Sequence, residues 1–107
     1  MTIERRVSLR RLKPEGIQEY IRLHAQVWPE LLEAYRNAGI IQVCCFLNGL
    51  DLLVYSVVDR DIYEKEKEAL SRNPVEVRWQ ALMKTLDDPH FEEKPFDEVF
   101  SMATGKE

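Results

Sequence analysis

Apolar residues recur along this chain with two alternating periods, and the switches between them mark its elements. Residues 3–12 alternate: Ile3, Arg5, Val7, Leu9 and Arg11 share one face, and Glu4, Arg6, Ser8, Arg10 and Leu12 share the other. Period two predicts a first strand. Its second face is unusually polar for a central strand. Either that face is simply solvated, or one of Arg6, Ser8 or Arg10 hydrogen-bonds a polar ligand over the sheet. After a turn at Lys13-Pro14-Glu15-Gly16 the period becomes about 3.6, with Ile17, Tyr20, Ile21, Val27, Trp28, Leu31, Ala34, Tyr35 and Ala38 on one stripe. This predicts a helical region from about Glu15 to Ala38, closed by Gly39 as a left-handed cap. Pro29 interrupts it, because proline lacks an N–H and crowds the carbonyl four residues back, here Ala25. The helix therefore kinks near Trp28, or a second helix starts with Pro29 in its first turn.

Residues 40–47 and 51–58 are near-continuous apolar runs joined by Asn48-Gly49, which predicts a hairpin of strands covered on both faces. Asp59 to Arg72 is charged and helical. Asn73-Pro74 starts another helix, reaching about Leu86, with Val75, Trp79, Leu82, Met83 and Leu86 inward. A loop runs to Pro95, and Phe96 to Met102 is expected as a last strand. The order β–α–β–β–α–β predicts an α+β, ferredoxin-like antiparallel sheet with helices on one face. The two-sided apolarity of the hairpin implies that the other face is also covered. A second copy of the same sheet is the cheapest cover, so a homodimer is expected.

Composition narrows the classes. At 107 residues, with 45% hydrophobic and 32% charged, residues 1–107 read as one globular domain. A net charge of −4 argues against a nucleic-acid partner. No apolar run reaches membrane-spanning length, and the N-terminus lacks a signal-peptide core. Cys44 and Cys45 are adjacent, which suits reduced thiols in a cytoplasmic protein rather than a disulfide. His24 and His90 lie far apart and no Cys-x-x-Cys occurs, so no metal site is expected, and no glycine-rich phosphate loop is present.

The residues that carry chemistry lie on the helical stripe. Tyr20, His24 and Trp28 step by four and stack on its apolar side. An inward imidazole beside a phenol and an indole is either a satisfied core histidine or a working acid/base, since its ordinary pKa of about 6.5 suits proton transfer near neutrality.

The pattern Tyr20-x-x-x-His24-x-x-x-Trp28-Pro29-Glu30-Leu31, then Gly39, the apolar hairpin, Arg78-Trp79 and Glu98-Val99-Phe100, resembles the L-rhamnose mutarotases. The resemblance implies a dimeric α/β barrel that interconverts the α and β anomers of a deoxyhexose without metal or organic cofactor. It implies that His24 is the proton donor and that Tyr20 and Trp79 contact the sugar. Two family substrate contacts depart: a tyrosine falls on Val43, and an aromatic residue after Trp79 is Gln80. Both lie away from the proton donor, so the reaction type stands while the preferred sugar shifts, with L-fucose expected ahead of L-rhamnose. Trp28 offers a further flat surface for a pyranose. The general base stays open among Glu30, Tyr20 and water. Two other functions suit the same fold: a cofactor-free monooxygenase, and a non-catalytic small-molecule binding module in which His24 is core.

Overall fold

The computed structural model describes residues 1–103. Strand β1 (Ile3–Arg11) leads through a 3-10 turn at Pro14–Gly16 into α1 (Ile17–Ala25) and α2 (Pro29–Asn37). Then come the hairpin strands β2 (Ile40–Asn48) and β3 (Asp51–Asp59), helices α3 (Arg60–Arg72) and α4 (Pro74–Leu86), and strand β4 (Lys94–Phe96). The sheet order is β2-β3-β1-β4, and every neighbouring pair is antiparallel. This is the ferredoxin-like α+β arrangement that the order of elements predicts.

Pro29 opens a new helix. It is the first residue of α2, where a missing N–H costs nothing, and the break falls at Gln26 (φ −150°, ψ 75°) and Trp28 (φ −58°, ψ 127°). Asn73 and Asp59 cap α4 and α3 by accepting the N–H of Val75 and Asp61. Gly39 carries the chain from α2 into β2 at φ 84°, and a Cβ there would lie 2.8 Å from that of Ile62, so backbone and space both require glycine. In the hairpin Asn48 pairs with Asp51, so the two turn residues are Gly49 and Leu50. Only Gly49 has positive φ (62°), the pattern of a II′ turn.

The core lies between the sheet and the helices. Leu12, Leu31 and Leu52 are fully enclosed, with Tyr20, Trp79, Met83 and Leu86 packed around them. Each large apolar side chain removed from water there contributes about 1.5–3 kcal/mol. The polar face of β1 is not left to solvent: Arg6, Ser8 and Arg10 pair with Ser56, Val54 and Leu52, on the face that the helices cover. A register shift between Ile40 and Gln42 turns Val43, Cys45 and Leu47 of β2 to that same side. The opposite face carries Val7 and Leu9 of β1, Leu53 and Tyr55 of β3, and Phe46 and Phe96, the last two 56% and 51% exposed.

The last strand differs from the expectation. It spans Lys94–Phe96 instead of Phe96 to Met102, and pairs with Val7–Leu9 of β1. Val99, Phe100 and Met102 stand exposed. They have no covering layer among the described residues, so burial fixes no backbone register there. A side-chain clamp follows the ladder instead: the Arg5 guanidinium donates through Nε and Nη2 to both carboxylate oxygens of Glu98, at 2.9 and 2.6 Å.

Candidate active site

Helix α1 delivers Tyr20 and His24 one turn apart, and their rings stack with centroids 3.9 Å apart and planes 21° apart. Trp79 of α4 meets the His24 ring edge-on at 5.2 Å. Tyr20 and Trp79 are buried, whereas His24 is half-buried. The imidazole Nδ1 lies 2.8 Å from the Tyr20 carbonyl oxygen. A carbonyl only accepts, so Nδ1–H donates, and the neutral ring keeps its lone pair on Nε2. Burial, and next the nearby Arg10 charge, hold the His24 pKa below its ordinary value, against the opposing pull of the Tyr20 carbonyl. His24 is therefore neutral at neutral pH. The Tyr20 hydroxyl is pushed upward by burial and then by the neighbouring Cys45 thiol, so it stays protonated.

These groups open into a hollow of about 620 Å³. Tyr20, His24, Val43, Cys45, Trp79 and Gln80 are among its walls. Five of the six residues singled out in sequence thus come together. The sixth, Trp28, sits in the break between α1 and α2 and packs edge-on against Trp79 at 5.0 Å, behind the hollow and outside its lining. The Arg78 guanidinium lies over the Trp28 ring, 5.5 Å from its centroid. Glu30 is exposed in the first turn of α2 and does not line the hollow.

Two features escape the sequence pattern, a Glu76 wall and Cys45, and a third lining residue, Arg10, is one of the three candidates it named on β1. Tyr35 donates to Glu76 Oε1 at 2.8 Å and Gln80 donates to Glu76 Oε2 at 3.2 Å, forming a polar wall across α2 and α4. Burial raises the Glu76 carboxyl. The Glu76–Gln80 spacing of four was legible on a helix; its link to Tyr35 was not. Cys45 joins the wall through the register shift in β2. Arg10 reaches the hollow from the floor of the sheet. Among the described residues, no group of three or more His, Cys, Asp and Glu side chains is placed to hold a metal ion, and no helix is long and apolar enough to cross a membrane.

The family profile for L-rhamnose mutarotase matches residues 5–102. The chain belongs to the L-rhamnose mutarotase family. An L-rhamnose mutarotase of Burkholderia ambifaria is 34% identical over 96 residues, covering 86% of this chain and 91% of that one. Another, from Acidiphilium cryptum, is 34% identical over 95 residues, covering 85% and 90%. The crystal structure of an L-rhamnose mutarotase from Formosa agariphila superposes with a TM-score of 0.75 at 24% identity, over 94% of this chain and 99% of that one. An antibiotic biosynthesis monooxygenase superposes with a TM-score of 0.59 at 16% identity, over 92% and 99%. These two structural likenesses speak to fold alone.

Proposed function

We propose that this protein is a sugar mutarotase that interconverts the α and β anomers of a deoxyhexose, L-fucose or L-rhamnose, by acid/base ring opening at His24. Family membership supports the reaction class. The single observation that carries the mechanism is the His24 ring itself: Nδ1–H is tied to the Tyr20 carbonyl, and Nε2 is left as the nitrogen available to a ligand in the hollow.

A neutral imidazole begins as an acceptor. Nε2 takes the proton of the anomeric hydroxyl as the bond between the anomeric carbon and the ring oxygen breaks. The same nitrogen then gives that proton to the departing ring oxygen, which is the donor role the resemblance implies. The two oxygens share one carbon, so a single nitrogen can serve both. The aldehyde rotates about its bond to the next carbon and recloses on its other face by the reverse transfers. Protons balance without a second base, and Tyr20, kept protonated, is left to donate a hydrogen bond. A well-placed acid/base of this kind is worth about 10²–10⁴-fold. Trp79 and Tyr20 give flat apolar surface against the C–H face of a pyranose.

The assembly belongs to the same proposal. The apolar sheet face opposite the helices fits a second copy of this chain, giving a homodimer with sheets face to face. The two free thiols, Cys44 and Cys45, suit the reducing cytoplasm. The experiment is NMR saturation transfer between α and β signals of equilibrated sugars, over a panel of deoxyhexoses. Transfer that appears on adding protein supports the mutarotase. Sugars that bind with no added transfer would leave a binding module, and no effect on any sugar would turn attention to the monooxygenase chemistry hosted by the same fold.

A further inference from the structure

The polar face of β1 offers three candidates for a ligand contact, and the structure separates them. Ser8 does not line the His24 hollow. Arg6 does, but its Nη2 donates to Glu4 at 3.2 Å and its guanidinium lies over the Tyr63 ring at 4.7 Å. Among the described residues Arg10, which lines the hollow, makes one side-chain hydrogen bond, from Nη2 to Asp87 Oδ2 at 2.5 Å. A guanidinium has five N–H donors, so most of the fork remains uncommitted.

Its partner Asp87 is fixed in place by the backbone. Asp87 follows α4 directly, and the backbone on both sides of it is pinned to the end of β1. The Lys13 N–H donates to the Leu86 carbonyl and the Asp88 N–H to the Arg11 carbonyl, each at 2.9 Å. Leu12, bridged to Asp87, is fully buried. The Arg10 and Asp87 side chains are only about a quarter exposed, at 24% and 25%. Asp87 Oδ1 is buried with no partner among the described residues. A pair kept for stability alone would more often be a two-bond fork with both oxygens satisfied. Arg10 also forms, with Gln80, the edge shared with a second hollow of about 810 Å³, so it stands at the side of the site rather than beneath the core. Its charge is felt at both Tyr20 and His24.

We propose that Arg10 is a substrate-binding residue of the His24 site, donating through its free N–H groups to hydroxyl oxygens of the bound sugar, and that Asp87 is the positioning residue that aims it. The ligand oxygens are those of a neutral sugar. Asp87 and Glu93 already act on the Arg10 charge in a half-buried place, so a carboxylate on the substrate would meet negative charge beside that cation. Neighbouring hydroxyls on one face of a pyranose suit a planar fork better than a single oxygen does.

The proposal rests on the mutarotase reading, and its test separates the two. Sugar binding is followed by tryptophan fluorescence, since Trp79 lines the hollow, and turnover by saturation transfer, for the unmodified protein and for R10Q, R10K and D87N. The expected result is a tenfold or greater rise in KM and in the dissociation constant for R10Q, with a smaller loss in kcat. R10K, which keeps the charge and the Asp87 partner but loses the fork, should remain at least fivefold weaker than the unmodified protein. D87N should weaken binding by a smaller factor, and D87E should recover part of it. Binding of R10Q and R10K within twofold of the unmodified protein would overturn the proposal, and if R10Q fails to fold, R10K alone decides it. Unmodified protein that binds sugars without catalysing exchange would refute the mutarotase reading while the binding arm still judges Arg10.

Discussion

Introducing at Val43 and Gln80 the aromatic residues that the resemblance places there should move the sugar preference toward L-rhamnose. The perturbation is the double variant Val43→Tyr, Gln80→Trp. Both positions line the His24 hollow, and both are exposed at its wall, Val43 by 44%. Val43 presents no polar atom, so the phenol would add a hydrogen-bonding group where a sugar hydroxyl is now unread. Gln80 is partly committed, since its Nε2 donates to Glu76 at 3.2 Å, so it reads a sugar mainly through its carbonyl oxygen. A site that changes apolar volume alone discriminates by about 1–3 kcal/mol, and a fully buried hydrogen bond by much more. Because these walls are open, the lower part of that range applies. About 1–2 kcal/mol corresponds to roughly a 5–30-fold change in the rhamnose-to-fucose ratio of kcat/KM. The assay is the catalysed anomer-exchange rate for each sugar by saturation transfer, with both single variants included because the two positions share one cavity. A ratio that moves less than twofold would refute the reasoning. So would an unmodified protein that already favours L-rhamnose tenfold or more.

Further outcomes follow from packing and charge. Trp79→Ala removes a ring that is 5% exposed and touches both His24 and Trp28, and should cost about 3–5 kcal/mol in denaturant unfolding; a loss under 1 kcal/mol would contradict its place in the core. His24 has a folded pKa below its ordinary 6.5, so the native state binds fewer protons than the unfolded chain. Its neutral form is accommodated fully above about pH 6.5, and stability should fall as pH drops from there toward the folded value. His24→Gln should flatten that slope in unfolding experiments between pH 7.5 and 5.5, and an unchanged slope would assign it to other groups. Light scattering should report a dimer at micromolar concentration, and Phe46→Asp on the open sheet face should shift it toward monomer; a stable monomer in the unmodified protein would sink the face-to-face assembly.

Hydrophobic period and punctuation were enough to read the fold. Alternation in residues 3–12, the apolar hairpin runs and the Asn73-Pro74 start each report a local preference that tertiary packing reinforces, so the predicted elements agree with the sheet order observed. Pro29 marked the helix break but left two geometries open, because a proline alone cannot say whether the chain bends or restarts. The tail misled for a physical reason: Phe96 to Met102 has strand-like composition, yet composition does not say whether a covering layer exists. The site was half legible. Spacing by four placed Tyr20 and His24 together, but Trp28 lies past the end of α1, where that spacing no longer applies. The Arg10–Asp87 pair joins residues at opposite ends of the chain, and the Cys45 side was set by a register shift. No periodicity encodes either one.

The central claim is that the imidazole of His24, tied at Nδ1 and free at Nε2, moves the proton that opens the sugar ring. Saturation transfer between the anomers of L-fucose and of L-rhamnose, measured side by side for the unmodified protein and His24→Ala at matched concentrations of folded protein, tests it most directly. The account predicts catalysed exchange in the first and a loss of about 10²-fold or more in the second, with sugar binding and fold retained. Exchange within a few fold of the unmodified rate in His24→Ala would contradict it.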